Sequence, residues 1–206
     1  MIWDEDREQV DLPRYYSSRE QGFTPAVRDQ GYYNTCWAHA GTACMEIGMI
    51  KHGMHQKYAN SAEEFALSVA HGLYYSFRPV ADAFEFTSDD VKVNKEKSVP
   101  VDTMVNRGSS PLSIGSAVLT WQGPVLEEDF PTVEGLYSAA LDTLDNREKA
   151  YENSVAIVTE VIEYDEKDYE EIKKAILKHG AVSTGYRSGG GSYSSKYYSH
   201  YSPDSG

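Results

Sequence analysis

The sequence predicts an α+β chain, with helices first, strands late, and the two kinds of element in separate lobes. Three observations carry this. Residues 36–51, CWAHAGTACMEIGMIK, place Trp37, Ala40, Cys44, Ile47 and Ile50 at spacings of three or four, the period of a helix. VAIVTEVIEY, about 154–164, is β-branched and reads as a strand. AVSTGYR, 181–187, reads as another.

Taken in order, residues 1–35 are extended and turn-rich, punctuated by Pro13, Gly22, Pro25 and Gly31. Thr35 or Asn34 is placed to cap the helix that follows. That helix carries charge only at Glu46 and Lys51, so most of its length is expected to be buried. A second helix is expected within 61–73, because Ser61 and Glu64 form a capping-box pattern. Residues 78–108 read as irregular. Pro111–Trp121 reads as a helix stopped by Gly123-Pro124, and 124–150 as acidic loop. Residues 166–179 are an amphipathic helix with Tyr169, Ile172, Ile176 and Leu177 as its stripe and Gly180 just beyond its end. The tail from Ser188 is Gly, Ser and Tyr without a period.

Composition narrows the function. Nineteen basic against 32 acidic residues give a formal net charge of −13. Such a surface repels nucleic acid and anionic membranes, so neither is an expected partner. No run of 18 apolar residues is present to span a bilayer. The acidic start, MIWDEDREQV, lacks the apolar core of a signal peptide. Sixteen tyrosines suit wet, half-buried surfaces.

The chemistry converges on Cys36. A thiol at the start of a buried helix faces the positive end of the helix dipole and free N–H groups, which favour the nucleophilic thiolate. The same N–H groups can bind an oxyanion, and Gln30 in its glycine-bounded turn adds a side-chain donor. A lone cysteine is otherwise a small buried hydrophobe, and Cys44, mid-helix, fits that plainer description. Eight helical residues between Cys36 and Cys44 rise about 12 Å, too far for a disulfide, so both are expected to be free thiols. His52 and His55 share a spacing of three but have no second ligand pair, so no metal or other cofactor is expected. The acidic run YDEKDYEE lacks the pattern of a calcium loop. GSSPLS and SGGGS lack the lysine of a phosphate cradle.

The run TPAVRDQGYYNTCWAHAG, residues 24–41, closely resembles the active-site segment of the papain-like cysteine peptidases. Val27, Arg28, Asp29, Gln30, Gly31, Cys36, Trp37 and Ala38 fall in place. Upstream, LPRYYSSRE, residues 12–20, resembles that family's mature N-terminus. SPLSIGSAVLTWQGPVLEEDFP and YEEIKKAILKHGAVSTGYR resemble later stretches of bacterial and archaeal members, including those with a lectin-like domain. The resemblance covers most of residues 12–206.

It implies a single two-lobed papain-like domain over 1–206. A helical lobe of about 24–130 would be built round the Cys36 helix. An incomplete β-barrel lobe of about 131–206 would be joined by the N-terminal extended segment. It implies a cysteine-type endopeptidase: Cys36 attacks a peptide carbonyl, and the Cys36 N–H and Gln30 stabilise the oxyanion. Gly108, Ser109 and Trp37 would line the site for a peptide or protein substrate. An inactive peptide-binding module and an acyltransferase of the same layout are the alternatives. Three departures follow. The family's catalytic His and Asn have no counterpart among His39, His52, His55, His71, His179, His200 and their neighbours, so the 206 residues are expected to hold an inactive half-site. Tyr33 stands where a disulfide cysteine often lies, and Gly108-Ser109 where a glycine pair does. An extracellular or cell-surface location and self-association through an exposed sheet edge complete the expectations.

Overall fold

The structure is a computed structural model that describes residues 11–77, 100–119, 122–132, 153–186, 193–194, 196 and 199–200. Its centre is helix α1, Cys36–Lys51, with the bounds the periodicity predicts. Helix α2 spans Val69–Phe77, α3 Val101–Asn106, α4 Pro111–Leu119 and α5 Tyr169–His179. Helix α1 packs on α2, α4 and α5, and α2 packs on α3 and α4. The crossing of α1, α2 and α4 is made at Ile114. A Cβ added at Gly41 would lie 3.2 Å from Ile114 Cβ, and one at Gly72 2.9 Å from Ile114 Cδ1. These two glycines let three helices close on one side chain. Around it lie Trp37, Leu73, Tyr74, Met104 and Val118, all buried.

The face of α1 that goes deepest is not the expected stripe. Trp37 and Ile50 are buried, but Ala40, Cys44 and Ile47 are only half-buried. Ala38, Thr42 and Glu46, one turn apart, take the inside instead. A helix that is apolar almost all round gives its period little to choose between, and the ion partner of Glu46 decides the face.

The expected helix over 61–73 is replaced by a turn, an extended stretch and then α2. The Ser61–Glu64 pair does form: Glu64 N donates to Ser61 Oγ at 3.3 Å, and Glu64 Oε2 accepts from Asn60 N at 3.2 Å. Beyond it Phe65 and Leu67 alternate into a second core cluster with Met49 and Ile50. Leu67 bridges antiparallel to Leu126, with Ser68 N bonded to Val125 O and Glu127 N to Ala66 O. A two-residue period with a backbone partner at Leu126 outcompetes a local cap. Helix α3 falls inside a stretch read as irregular, whose residues 78–99 lie outside the described ones. Helix α4 begins on Pro111 as expected, a position where the missing N–H costs nothing. Thr120, Trp121 and the expected acidic loop over 133–150 lie outside the described residues.

Helices α1, α4 and α5 thus fall where helices are expected, while the strands read at 154–164 and 181–187 are not formed among the described residues. Residues 155–162 lie as a strap without regular structure, Val155, Ala156 and Val158 packing against the two core clusters. Val155 N donates to Pro124 O at 2.9 Å, and Val161 lies where a Cβ on Gly115 of α4 would meet it at 3.0 Å. β-branched residues fit a half-buried surface, and here a helical surface supplies it. Strands are described only in the tail, where β1, Tyr193–Ser194, pairs antiparallel with β2, Ser199–His200. Among the described residues no further strand pairing falls in the expected β lobe.

Helix α5 matches its prediction closely. Asp168 caps it, its carboxylate accepting from Glu171 N at 3.1 Å. Gly180 ends it at φ 95°, a conformation that favours glycine. A Cβ there would also lie 2.7 Å from Ile47 Cγ2. Gly180 O accepts from Ser18 Oγ at 2.5 Å, so the N-terminal segment, α1 and the end of α5 meet at one point.

Candidate active site

The site is built from the turn over 27–35 and the first turn of α1. Gly31, at φ 62°, closes the turn, and its N–H donates to Asp29 Oδ1 at 2.9 Å. Gln30 Nε2 donates to Tyr33 O at 2.7 Å. Asn34 ties the loop to the end of α3, donating from N to Val105 O and from Nδ2 to Asn106 O, both at 2.8 Å. Residues 106–109 are thereby held beside the entry to α1.

Neither expected cap forms through its side chain. Thr35 stands at the cap position, but its side chain makes no cap hydrogen bond, and Oγ1 is buried without a partner. Its carbonyl instead accepts from Ala38 N, His39 N and His39 Nδ1 at 3.0–3.1 Å. The side chain of Asn34 is held by Asn106. The first turn of α1 also carries no acidic residue. Its amide groups are left for an anion at the helix end, where the dipole favours one.

Cys36 is exposed and Cys44 is half-buried, and both are free. Burial pushes the Cys44 thiol up to about 11. Iodoacetamide at neutral pH is therefore expected to modify Cys36 at least tenfold faster than Cys44, since the thiolate is the nucleophile. Peptide mapping at timed quenches measures both rates, and comparable rates would contradict the assignment of the two thiols.

Gln30 lies with Val27, Arg28, Asp29 and His39 along a shallow open depression. Its amide has two N–H donors, of which Tyr33 O takes one. Gly108 and Ser109 are exposed, and a Cβ on Gly108 would meet no atom within 4 Å. Ser109 Oγ is held 2.6 Å from Ser113 Oγ, turned onto the first turn of α4. Trp37 is placed differently from expectation. It is 2% exposed, with its ring edge-on to Phe77 at 5.7 Å. It anchors the helix in the core, since the residue after an exposed helix start points inward.

Of the histidines, His39 is one turn into α1. Burial lowers its pKa, against its bond to the Thr35 carbonyl, which raises it. His71 is buried between Tyr75 and Phe130. His55 lies beside Phe65, and His179, in the last turn of α5, has its pKa lowered by burial. The side chain of His200 lies outside the described residues.

Sequence reasoning overlooked the group that fixes the turn. Arg28 Nη2 meets Glu46 Oε2 at 2.5 Å, with Glu46 fully buried. Glu46 Oε1 accepts from Leu67 N at 2.7 Å, and Arg28 Nη1 donates to Leu67 O at 2.8 Å. One ion pair thus holds both polar groups of one buried residue and ties the 27–31 turn to α1. Burial pushes Glu46 up to about 7 while Arg28 pulls it down. The signal was present: a single acid inside an uncharged, buried helix demands a cation.

No family model matches the chain. Its sequence is 29% identical over 94 residues to procathepsin L of Felis catus, a match covering 44% of this chain and 28% of that protein. The chain therefore spans less than a third of that relative's length. The cysteine protease and lectin-like domains of Cwp84, a surface layer associated protein of Clostridium difficile, align with a TM-score of 0.44 and 22% identity. That alignment covers 81% of this chain and 31% of the other. The procathepsin L match, taken with the segment that runs from Thr24 into Cys36, Trp37 and Ala38, makes this chain similar to the papain-like cysteine peptidases.

Proposed function

We propose that this chain carries the nucleophile half of a cysteine-type endopeptidase. Cys36 Sγ attacks the carbonyl carbon of a peptide bond. The Cys36 N–H and the second N–H of Gln30 receive the developing oxyanion. The amine leaves with a proton, giving a thioester that water then hydrolyses. The exposed backbone at Gly108-Ser109 pairs with the extended substrate. The observation that carries the reading is the placement of Cys36: an exposed thiol opening a 16-residue helix whose first turn has neither side-chain cap nor acid. In this reading none of the six histidines serves as general base. His39, nearest in sequence, is engaged through Nδ1 by the Thr35 carbonyl, and turnover requires a general base other than these.

A second reading, a site that holds peptide without cutting it, draws on Gln30, whose amide is already engaged by Tyr33 O. Incubating the whole protein with a peptide library, with and without an added amine, separates the readings. Hydrolysis gives new carboxyl termini in both arms. Acyl transfer gives amide products only with the amine, and binding alone gives intact peptide in both.

A further inference from the structure

Around Cys36 the described chain exposes one strip, made of Tyr32, Asn34, Cys36 and residues 106–110. The two Asn34 hydrogen bonds set its parts side by side. Asn34, Asn106, Gly108, Ser109 and Ser110 are small or polar, and Arg107 adds a charge. Tyr32 is the one large aromatic group among them, and it is 98% exposed. Its neighbour Tyr33 packs against the core, so the loop divides its tyrosines, one inward and one fully outward.

A ring so exposed contributes no burial to the fold, yet its loop is braced on both sides. Gly31 N is held by Asp29, Tyr33 O by Gln30 Nε2, and Asn34 by α3. Four residues of chain keep the Tyr32 Cα within about 14 Å of the Cys36 Cα. A tyrosine on a rigid support loses little conformational freedom on contact and offers both apolar surface and a hydroxyl.

We propose that Tyr32 is a specificity-determining residue for the reaction at Cys36. Its ring takes an aromatic or large apolar side chain of an extended peptide whose reacting carbonyl lies at the thiol. This rests on the reading of Cys36 as the nucleophile.

The test uses tripeptidyl chloromethyl ketones in which one phenylalanine is stepped through a glycine background, with the all-glycine ketone as comparator. In each, the Cys36 thiolate forms a C–S bond as chloride leaves. One phenylalanine position is expected to label Cys36 roughly tenfold faster than the all-glycine ketone, the scale of one aromatic contact. Tyr32→Ala is expected to erase that advantage and Tyr32→Phe to keep it. The iodoacetamide rate at Cys36 and the melting temperature stay unchanged in both variants. An advantage that survives in Tyr32→Ala, or no advantage at any position, overturns the proposal. A Cys36 that takes iodoacetamide but none of the ketones contradicts the nucleophile reading itself, and the role of Tyr32 with it.

Discussion

Replacing Arg28 by alanine is expected to destabilise the fold by about 3 kcal/mol at pH 8, the scale on which a buried carboxylate loses its partner. The reason is local. Glu46 is 0% exposed, and its two oxygens face only Arg28 and the Leu67 N–H among the hydrogen bonds described. Without the guanidinium, the carboxylate must either stay charged in an apolar core or take up a proton at a pH that opposes it. The loss should depend on pH. Burial raises Glu46 to about 7 in the fold from the 4.5 of a free carboxyl. Between those values the folded chain holds a proton that the unfolded chain has released, so this group's contribution to stability falls as pH rises through that window. Below about pH 5, Glu46 is neutral, and Arg28→Ala forfeits mainly its bond to Leu67 O, worth about 1 kcal/mol. Urea unfolding at pH 5 and pH 8 reads both numbers. Equal losses at the two pH values would mean that the charge on Glu46 is not what Arg28 stabilises. Glu46→Gln should flatten the pH dependence over the same window.

Cys36→Ala is expected to lower kcat for peptide-bond cleavage by the whole protein roughly 10⁴-fold or more, as removal of a covalent nucleophile does in enzymes of this design. The same change should leave the melting temperature within about a degree, because an exposed thiol buries almost nothing. The contrast with Arg28→Ala is the point of the pair. One variant should destroy chemistry and spare the fold, and the other should weaken the fold that presents the chemistry. A Cys36→Ala protein that unfolds would assign the residue to packing, and one that cleaves normally would remove it from the reaction.

The parts of this molecule legible in sequence are those specified by a few neighbouring residues. The bounds of α1, the C-terminal end of α5, the stop at Gly180 and the separate state of the two cysteines all follow from local spacing and backbone chemistry. So did the place of Cys36 at a helix start. What escaped was specified at long range. The Ser61–Glu64 cap is formed yet does not nucleate a helix, because Leu67 is claimed by a distant partner, Leu126. The β-branched strap over 155–162 read as a strand, since propensity reports a fit to a half-buried surface and not the identity of that surface. Thr35 was the correct residue for a cap, but its carbonyl, not its hydroxyl, does the bonding. Trp37 was assigned to the substrate side by resemblance, and its burial follows from the helix turn on which it sits. Arg28 is legible in sequence only as part of a motif. Its partner lies 18 residues on, across a turn that no local rule closes.

The central claim is that Cys36 forms a thioester with an acyl group. The most direct measurement acid-quenches this chain after exposure to a peptide p-nitrophenyl ester, whose leaving group needs no general acid, and reads the intact mass and the modified peptide. The account predicts a mass gain of one acyl group per chain, mapped to Cys36 and lost in Cys36→Ala. No gain, or acylation spread equally over Cys44 and the lysines, would contradict it.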